Sequence, residues 1–368
     1  MTGIPDRMNP ISALEVINWM NEELLVCSNY HGHVQIWNGL HCVKNFVYCS
    51  ILRMINLNGD QLLVSGHSDG SIQICDNQEH LKILRGHKGY ITDFVSINWW
   101  GTPLLASAGF DKTIRLWNIL SLSENNNECV KILTGHTETI TVLAVISWNG
   151  MDILVSGSMD SNICIWDTRW YPISSTKSSK CMKILGHSAP IESFAVLSFP
   201  WAQLLVSGDW NGSIHIWDIF SEDGKECMKI LKGHEQGINT LSVIFCAERQ
   251  LLVSSSHDMT ICIWDPASVR DCRCLKIFRD FAGYAGNLTM IKWRGRESIV
   301  IGHHNGIIHI WDITTNWTSS NHHKFLLKER KLIFFMLLAH KHDDHSLLSK
   351  IPEEILFDIF SYFRCLDI

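Results

Sequence analysis

The 368-residue sequence predicts an all-β fold built from repeated four-stranded units. Three observations support this prediction. A tryptophan or cysteine ends a short alternating strand at intervals of 38 to 51 residues, a polar turn lies six residues before it, and an apolar run precedes the turn. An apolar run between turn residues is typical of a strand buried on both faces, and alternation is typical of a strand with one buried face.

Seven such units can be counted along the chain. Their strand ends are Trp37, Cys75, Trp117, Trp166, Trp217, Trp264 and Trp311. Their turn residues are His31, Asp69, Asp111, Asp160, Asn211, Asp258 and Asn305. Four short strands joined by tight turns form one blade of a propeller. We therefore expect a seven-bladed β-propeller over residues 11–315, preceded by a leader at residues 1–10.

A glycine-histidine pair strengthens the repeat in four of the units. The histidine lies 24 residues before the turn residue and follows a glycine, at His87, His136, His187 and His234. The stretch from Lys131 to Asp167 shows the whole frame. The pair is absent where the second and seventh units would carry it, since Asn45 and Phe281 occupy those positions.

These motifs resemble the signature of the WD40-repeat family. The matching residues are Gly135-His136, Ser156 to Asp160 and Ile163 to Asp167, and the resemblance extends over residues 11–312. It implies that Trp, Ser, His and Asp of a unit form a buried hydrogen-bonded clamp. The residues assigned to these clamps are His87, Ser107, Asp111, Trp117, His136, Ser156, Asp160, Trp166, His187, Trp217, His234, Ser254, Asp258 and Trp264.

Serine, histidine and aspartate are also the residues of a hydrolase triad. The recurrence of the set argues against catalysis, because an active site has no need of copies whereas a structural clamp does. No glycine-rich phosphate loop follows a strand. The sequence therefore predicts a protein that is not an enzyme, with no catalytic residue and no cofactor.

A partner-binding surface is predicted on the face that carries the glycine-histidine loops. The residue before each turn residue faces outward there, and most of these residues are large, aromatic or imidazole. Tryptophan, tyrosine and methionine are favoured in protein interfaces. The predicted binding residues are Tyr30, Tyr90, Phe110, Met159, Trp210, His257 and His304.

Net charge, cysteine content and the length of apolar runs indicate which partners and which cellular compartment to expect. The formal net charge is −6, which disfavours binding to a nucleic-acid backbone. The 13 cysteines, an odd number without a CxxC pair, indicate reduced thiols in an intracellular protein, cytoplasmic or nuclear. The N-terminus lacks an apolar signal region, and the longest apolar run, residues 332–339, is too short to span a bilayer, so no membrane association is expected.

The C-terminal segment, residues 324–368, is predicted to be helical. Within it, Ile351 to Asp367 resembles the opening of an F-box, which implies docking to the adaptor subunit of a cullin ubiquitin ligase; the alternative is an amphipathic helix packed on the propeller. The docking residues would be Pro352, Ile355, Leu356, Ile359 and Phe360.

Two further features of the ends follow from the sequence. The histidines between His340 and His345 lack a second ligand pair, so we expect a solvated linker and no metal site. The fourth strand of the last blade could come from Phe325–Leu327 or from residues 1–10, and the sequence leaves both alternatives open.

Overall fold

The computed structural model describes residues 11–312, apart from gaps at 20–21, 30–33, 39–40, 47–48, 58, 77–80, 100, 120–128, 167–180, 201, 222–225, 247–248, 268–273, 279–284, 294–295 and 304–307. All described strands belong to one compact unit spanning residues 9–337. The leader, the C-terminal segment with its docking residues, and Tyr30 and His304 lie outside the described residues.

The described strands form repeated antiparallel sheets, six with four strands and one with three. The first strands of the sheets are β1 (Ile11–Trp19), β5 (Cys49–Leu57), β9 (Ile91–Trp99), β13 (Ile140–Trp148), β17 (Ile191–Ser198), β21 (Ile238–Cys246) and β25 (Ala285–Trp293). The second strands are β2 (Glu22–Asn29), β6 (Asp60–His67), β10 (Thr102–Gly109), β14 (Met151–Ser158), β18 (Gln203–Asp209), β22 (Arg249–Ser256) and β26 (Arg296–His303).

The third strands are β3 (Val34–Asn38), β7 (Ile72–Cys75), β11 (Thr113–Trp117), β15 (Asn162–Trp166), β19 (Ile214–Trp217), β23 (Ile261–Trp264) and β27 (Ile308–Asp312). The fourth strands are β4 (His41–Phe46), β8 (Leu81–Leu84), β12 (Cys129–Thr134), β16 (Lys183–Gly186), β20 (Cys227–Leu231) and β24 (Lys276–Phe278). Each strand pairs with the next one in sequence within its sheet. This pattern confirms the predicted all-β class.

The first strands of consecutive sheets contact one another in sequence, and β25 of the last sheet contacts β1 of the first. The sheets therefore follow one another in a closed cycle, as the blades of a β-propeller do. Side-chain hydrogen bonds join neighbouring first strands. Thr92 Oγ1 donates to Ile140 O at 2.6 Å, and Thr141 Oγ1 donates to Ile191 O at 2.5 Å.

The core lies between adjacent sheets. The second strands are continuous apolar runs, and Leu154 and Val155 of β14 are fully buried. The tryptophan that ends a third strand packs toward the preceding sheet: Trp166 lies among buried residues of β9, β10 and β11. A completely buried tryptophan removes roughly 200 Å² of surface from water, so this residue joins two sheets as well as ending a strand.

Tight turns at both ends of the second strands set the register. Trp148 pairs with Met151 across Asn149 and Gly150, which both have positive φ, as a two-residue hairpin turn requires. At the other end, Lys112, Ser161, Gly212 and Met259 occupy equivalent turn positions and all have positive φ. The turns that follow the second strands are therefore built alike even though their sequences differ.

The fourth strands form the outer edges of the sheets. Exposed apolar side chains lie on five of these strands, at Leu81, Ile83, Ile132, Ile184, Met228, Ile230 and Ile277, and Met182 lies just before β16. Lysines alternate with them; Lys131 is buried beside Trp99, and Lys183 pairs with Glu226 at 2.7 Å. Charges that point inward from an edge strand oppose pairing with another chain.

Candidate functional site

The third sheet carries a complete chain of hydrogen bonds between side chains. Trp117 Nε1 donates to Ser107 Oγ at 2.8 Å, Ser107 Oγ lies 2.7 Å from His87 Nε2, and His87 Nδ1 lies 3.0 Å from the Asp111 carboxylate. With the neutral histidine protonated on Nδ1, every donor has one acceptor: indole to hydroxyl, hydroxyl to Nε2, and Nδ1 to carboxylate.

The fourth and sixth sheets repeat this clamp. In the fourth, Trp166 donates to Ser156 at 2.9 Å, which lies 2.8 Å from His136, and His136 lies 2.9 Å from Asp160. In the sixth sheet the same three separations are 2.8, 2.7 and 3.0 Å, between Trp264, Ser254, His234 and Asp258. The serine side chains are buried completely, so these bonds satisfy polar groups that water cannot reach.

In the fifth sheet, the aspartate of the clamp is not the residue that lies 24 positions after the histidine. His187 Nδ1 lies 3.1 Å from Asp209, at the end of β18, whereas the turn position 24 residues after His187 holds Asn211. Ser207 completes the chain, 2.6 Å from His187 Nε2 and accepting from Trp217 at 2.7 Å. Asp209 also accepts from the amides of Asn211 and Ser213, so it both ends the clamp and fixes the turn.

The second sheet has a different arrangement because Cys75 replaces the tryptophan. Ser65 Oγ lies 3.2 Å from Nε2 of His67, two residues along the same strand. Asp69 accepts from the amide and hydroxyl of Ser71. Asp69 therefore stabilises its own turn, and among the described residues it does not bond to a histidine of the preceding loop as the clamp aspartates do.

The clamps place serine, histidine and aspartate in the order of a hydrolase triad, yet the serines cannot act as nucleophiles. Ser107, Ser156, Ser207 and Ser254 have no exposed surface, and each hydroxyl oxygen accepts a hydrogen bond from a buried indole. A nucleophile must reach its substrate. The geometry therefore favours structural polar chains.

Several clamp groups have shifted pKa values. Burial lowers the pKa of His234, with Asp258 opposing the shift, and burial together with the His187 charge lowers the pKa of the neighbouring His215 to about 4. For Asp160, burial acts to raise the pKa, but hydrogen bonds from the Thr137 amide and from His136 together outweigh it and lower the pKa.

We expect the protein to lose stability as the pH falls below about 6.5, the ordinary pKa of histidine. Because folding lowers the pKa of His215 and His234, the unfolded chain binds more protons between pH 6.5 and the folded values, and protonation favours unfolding. A second loss follows below about pH 3.8, as the aspartates whose pKa folding lowers become protonated.

Urea unfolding in steps from about pH 7.5 to about pH 3, in buffer with a chelator, measures both phases. A free energy of unfolding that stays constant between about pH 6.5 and 4.5 contradicts the histidine assignment.

The predicted binding residues occupy equivalent positions at the ends of the second strands. Four consecutive sheets share one backbone bond there, in which the residue before the turn donates its amide to a carbonyl of the preceding loop. The pairs are Phe110 with Tyr90 at 2.9 Å, Met159 with Thr139 at 2.9 Å, Trp210 with Pro190 at 3.0 Å and His257 with Gly237 at 2.9 Å. We call the surface formed by Tyr90, Phe110, Met159, Trp210 and His257 the rim surface.

Aromatic side chains are presented openly on the rim surface. Tyr90 and Phe110 have ring centroids 5.3 Å apart at a 50° tilt, and each is about half exposed, at 49% and 51%. Trp210 is 49% exposed, and His257 is exposed too. Met159 is only partly exposed, so it offers less area than its position in the sequence suggested.

A carboxylate lies beside Trp210. Trp210 Nε1 donates to Glu192 Oε2 at 2.7 Å. Burial raises the pKa of Glu192, against the hydrogen bond from Trp210 and the charge of His257. In the two preceding sheets the equivalent residues are Thr92 and Thr141, which bond to the next sheet, so Glu192 replaces a link between sheets with an acidic group. No motif in the sequence pointed to this residue.

The described residues contain no helix with the length and hydropathy needed to cross a membrane. No curated protein matches the chain as a relative. The family model described as WD domain, G-beta repeat matches residues 78–118, 127–167, 179–218 and 225–265. Each matched segment contains one complete clamp, from its histidine to its tryptophan. The chain therefore belongs to the WD-repeat family.

Proposed function

We propose that this chain is a seven-bladed, non-catalytic WD40 propeller that binds a protein or peptide on the rim surface and so acts as a scaffold. WD40 repeats support a role in protein interaction in general. The observation that carries the more specific proposal is the pair of exposed aromatic sites, Tyr90 with Phe110 and Trp210 with Glu192, held by backbone bonds at equivalent places.

These two sites differ in chemistry. The Tyr90–Phe110 pair offers apolar area, which suits an aliphatic or aromatic anchor of a partner. Trp210 offers an aromatic face beside the Glu192 carboxylate, which suits a lysine or arginine side chain. The protein segment that fits both sites carries an apolar residue and a basic residue.

We expect the double substitution Phe110→Ala and Trp210→Ala to weaken partner binding by at least about 30-fold, because truncation of a central aromatic contact costs about 2 kcal/mol. Stability changes little, since both side chains are half exposed. The measurement is quantitative affinity purification from cells that express the full-length chain at equal levels, followed by titration of the recovered partner with purified protein.

The matched control is the double substitution Met228→Ala and Ile230→Ala on β20. These side chains are 53% and 41% exposed, so the control also removes exposed apolar area, but from an outer strand. If both variants lose the same partners equally, binding at the rim surface is contradicted. It is also contradicted if neither variant loses a partner.

The adaptor form of the proposal rests on the segment Ile351 to Asp367, whose sequence resembles an F-box opening. Its test is the substitution Ile355→Asp in the full-length chain. If the segment docks to a cullin-ligase adaptor, that subunit co-purifies with the native chain and is lost with the variant, while partners of the rim surface are retained. Absence of cullin-ligase subunits from both samples contradicts the adaptor form and leaves the general scaffold.

A further inference from the structure

The fifth sheet places a second imidazole against its clamp. His215 pairs with Ser207 in the β18–β19 register, and its ring centroid lies 4.0 Å from that of His187. One potential ligand atom from each of His187, Asp209 and His215 lies within 4.8 Å of the other two. In the other three clamps the position of His215 is occupied by Arg115, Cys164 or Cys262, so the second imidazole belongs to this sheet only among the described clamps.

We propose that His187, Asp209 and His215 bind a zinc ion. Two imidazoles and one carboxylate are a zinc donor set, and bond lengths of about 2.0–2.2 Å place such donors about 3.3–3.5 Å apart. His187 Nδ1 and Asp209 Oδ2 already lie 3.1 Å apart, close to that separation. A soft donor is close as well: Cys227 Sγ lies 3.8 Å from His215 Nδ1, which favours zinc over magnesium or calcium.

The site has the burial and access that a bound ion requires. The side chains of His187 and Asp209 are fully buried, whereas His215 is partly exposed and Cys227 is exposed. The ion therefore reaches the buried donors from the side of β19 and β20.

Binding changes the tautomer of His187 without a net loss of protons from that ring. The Nδ1–H bond that serves Asp209 is replaced by an Nδ1–zinc bond, and the ring carries its proton on Nε2 instead. Nε2 then donates to Ser207 Oγ, which also accepts from Trp217 with its second lone pair, and the Ser207 hydroxyl hydrogen that had pointed at Nε2 turns away from the ring. The ion thus joins histidine to aspartate where a proton did before.

The test is titration of zinc into chelator-treated, full-length protein by calorimetry, with cobalt absorption as a second readout. The chain has 19 histidines and 13 cysteines, so the informative quantity is the difference between variants. His215→Gln is the main variant because Gln73 occupies the equivalent position in the second sheet. His67→Gln, at a partly exposed histidine of the second sheet that lies outside the cluster, is the matched control.

We expect the native chain and His67→Gln to bind the same number of ions, and His215→Gln to lose one equivalent or to bind it about 10- to 100-fold more weakly. His215→Arg is a second variant, because Arg115 occupies the equivalent position in the third sheet. We expect it to lose the same equivalent of zinc, and it replaces His215→Gln in the test if that variant does not fold. Equal zinc binding by a folded His215 variant and the native chain overturns the proposal, as does a native chain that binds no zinc.

Discussion

Asp209→Ala is expected to lower the free energy of unfolding by about 3 kcal/mol, whereas Asn211→Ala changes it little. The Asp209 carboxylate is fully buried against His187 and accepts the amides of Asn211 and Ser213. Its removal leaves an imidazole N–H and two backbone amides without an acceptor. Asn211 is exposed, so truncation of its side chain has no comparable cost.

A rescue variant makes this comparison sharper. Asp209→Ala combined with Asn211→Asp restores a carboxylate 24 residues after His187, which is the separation found between His136 and Asp160. We expect the double variant to recover most of the lost stability, as measured by urea unfolding. A larger effect of Asn211→Ala than of Asp209→Ala contradicts the assignment of Asp209 to the clamp.

Gly208→Ala is expected to destabilise the fold by about 2 kcal/mol, within the range for an overpacked core. A Cβ atom at Gly208 would lie 2.6 Å from Cγ2 and 2.8 Å from Cβ of Ile238. The Cβ contact lies next to the backbone, so β21 itself must shift. This position is where the fifth sheet packs against the sixth, and displacement there disturbs the contact between two blades.

Gly186→Ala is the matched control for Gly208→Ala. A Cβ atom at Gly186 has no heavy atom within 4 Å, so the same chemical change meets open space. Thermal unfolding of the two variants beside the native chain measures the difference. Equal melting temperatures for all three proteins contradict the close packing between β18 and β21.

The repeat and most of the clamps follow from the sequence because they depend on local spacing. The separation from His136 to Asp160, for example, spans two strands of nine and eight residues and the tight turn that joins them. The clamp of the fifth sheet could not be predicted in this way. Its histidine bonds to Asp209 at the end of the strand, whereas the clamp histidines of the other sheets bond to an aspartate in the turn.

Bonds between sheets could not be predicted from one sequence. Asp93 is buried, pairs with Arg53 at 3.3 Å, and accepts the Leu143 amide at 2.9 Å, which links three first strands. These partners are 40 and 50 residues away, and at the place equivalent to Asp93 the fifth sheet uses Ser193, which accepts the Leu241 amide at 2.9 Å. The hydrogen bond between Glu192 and Trp210 could not be predicted for the same reason. The equivalent residues of other sheets, Thr92 and Thr141, bond to different partners.

The contact between β25 and β1 affects how the protein unfolds. In a linear array of repeats, an end unit can fray while its neighbours hold. A cycle has no end unit: a sheet that departs breaks packing on both of its sides. We therefore expect the loss of one clamp to weaken the packing of both neighbouring sheets, and the described sheets to unfold together in one cooperative transition.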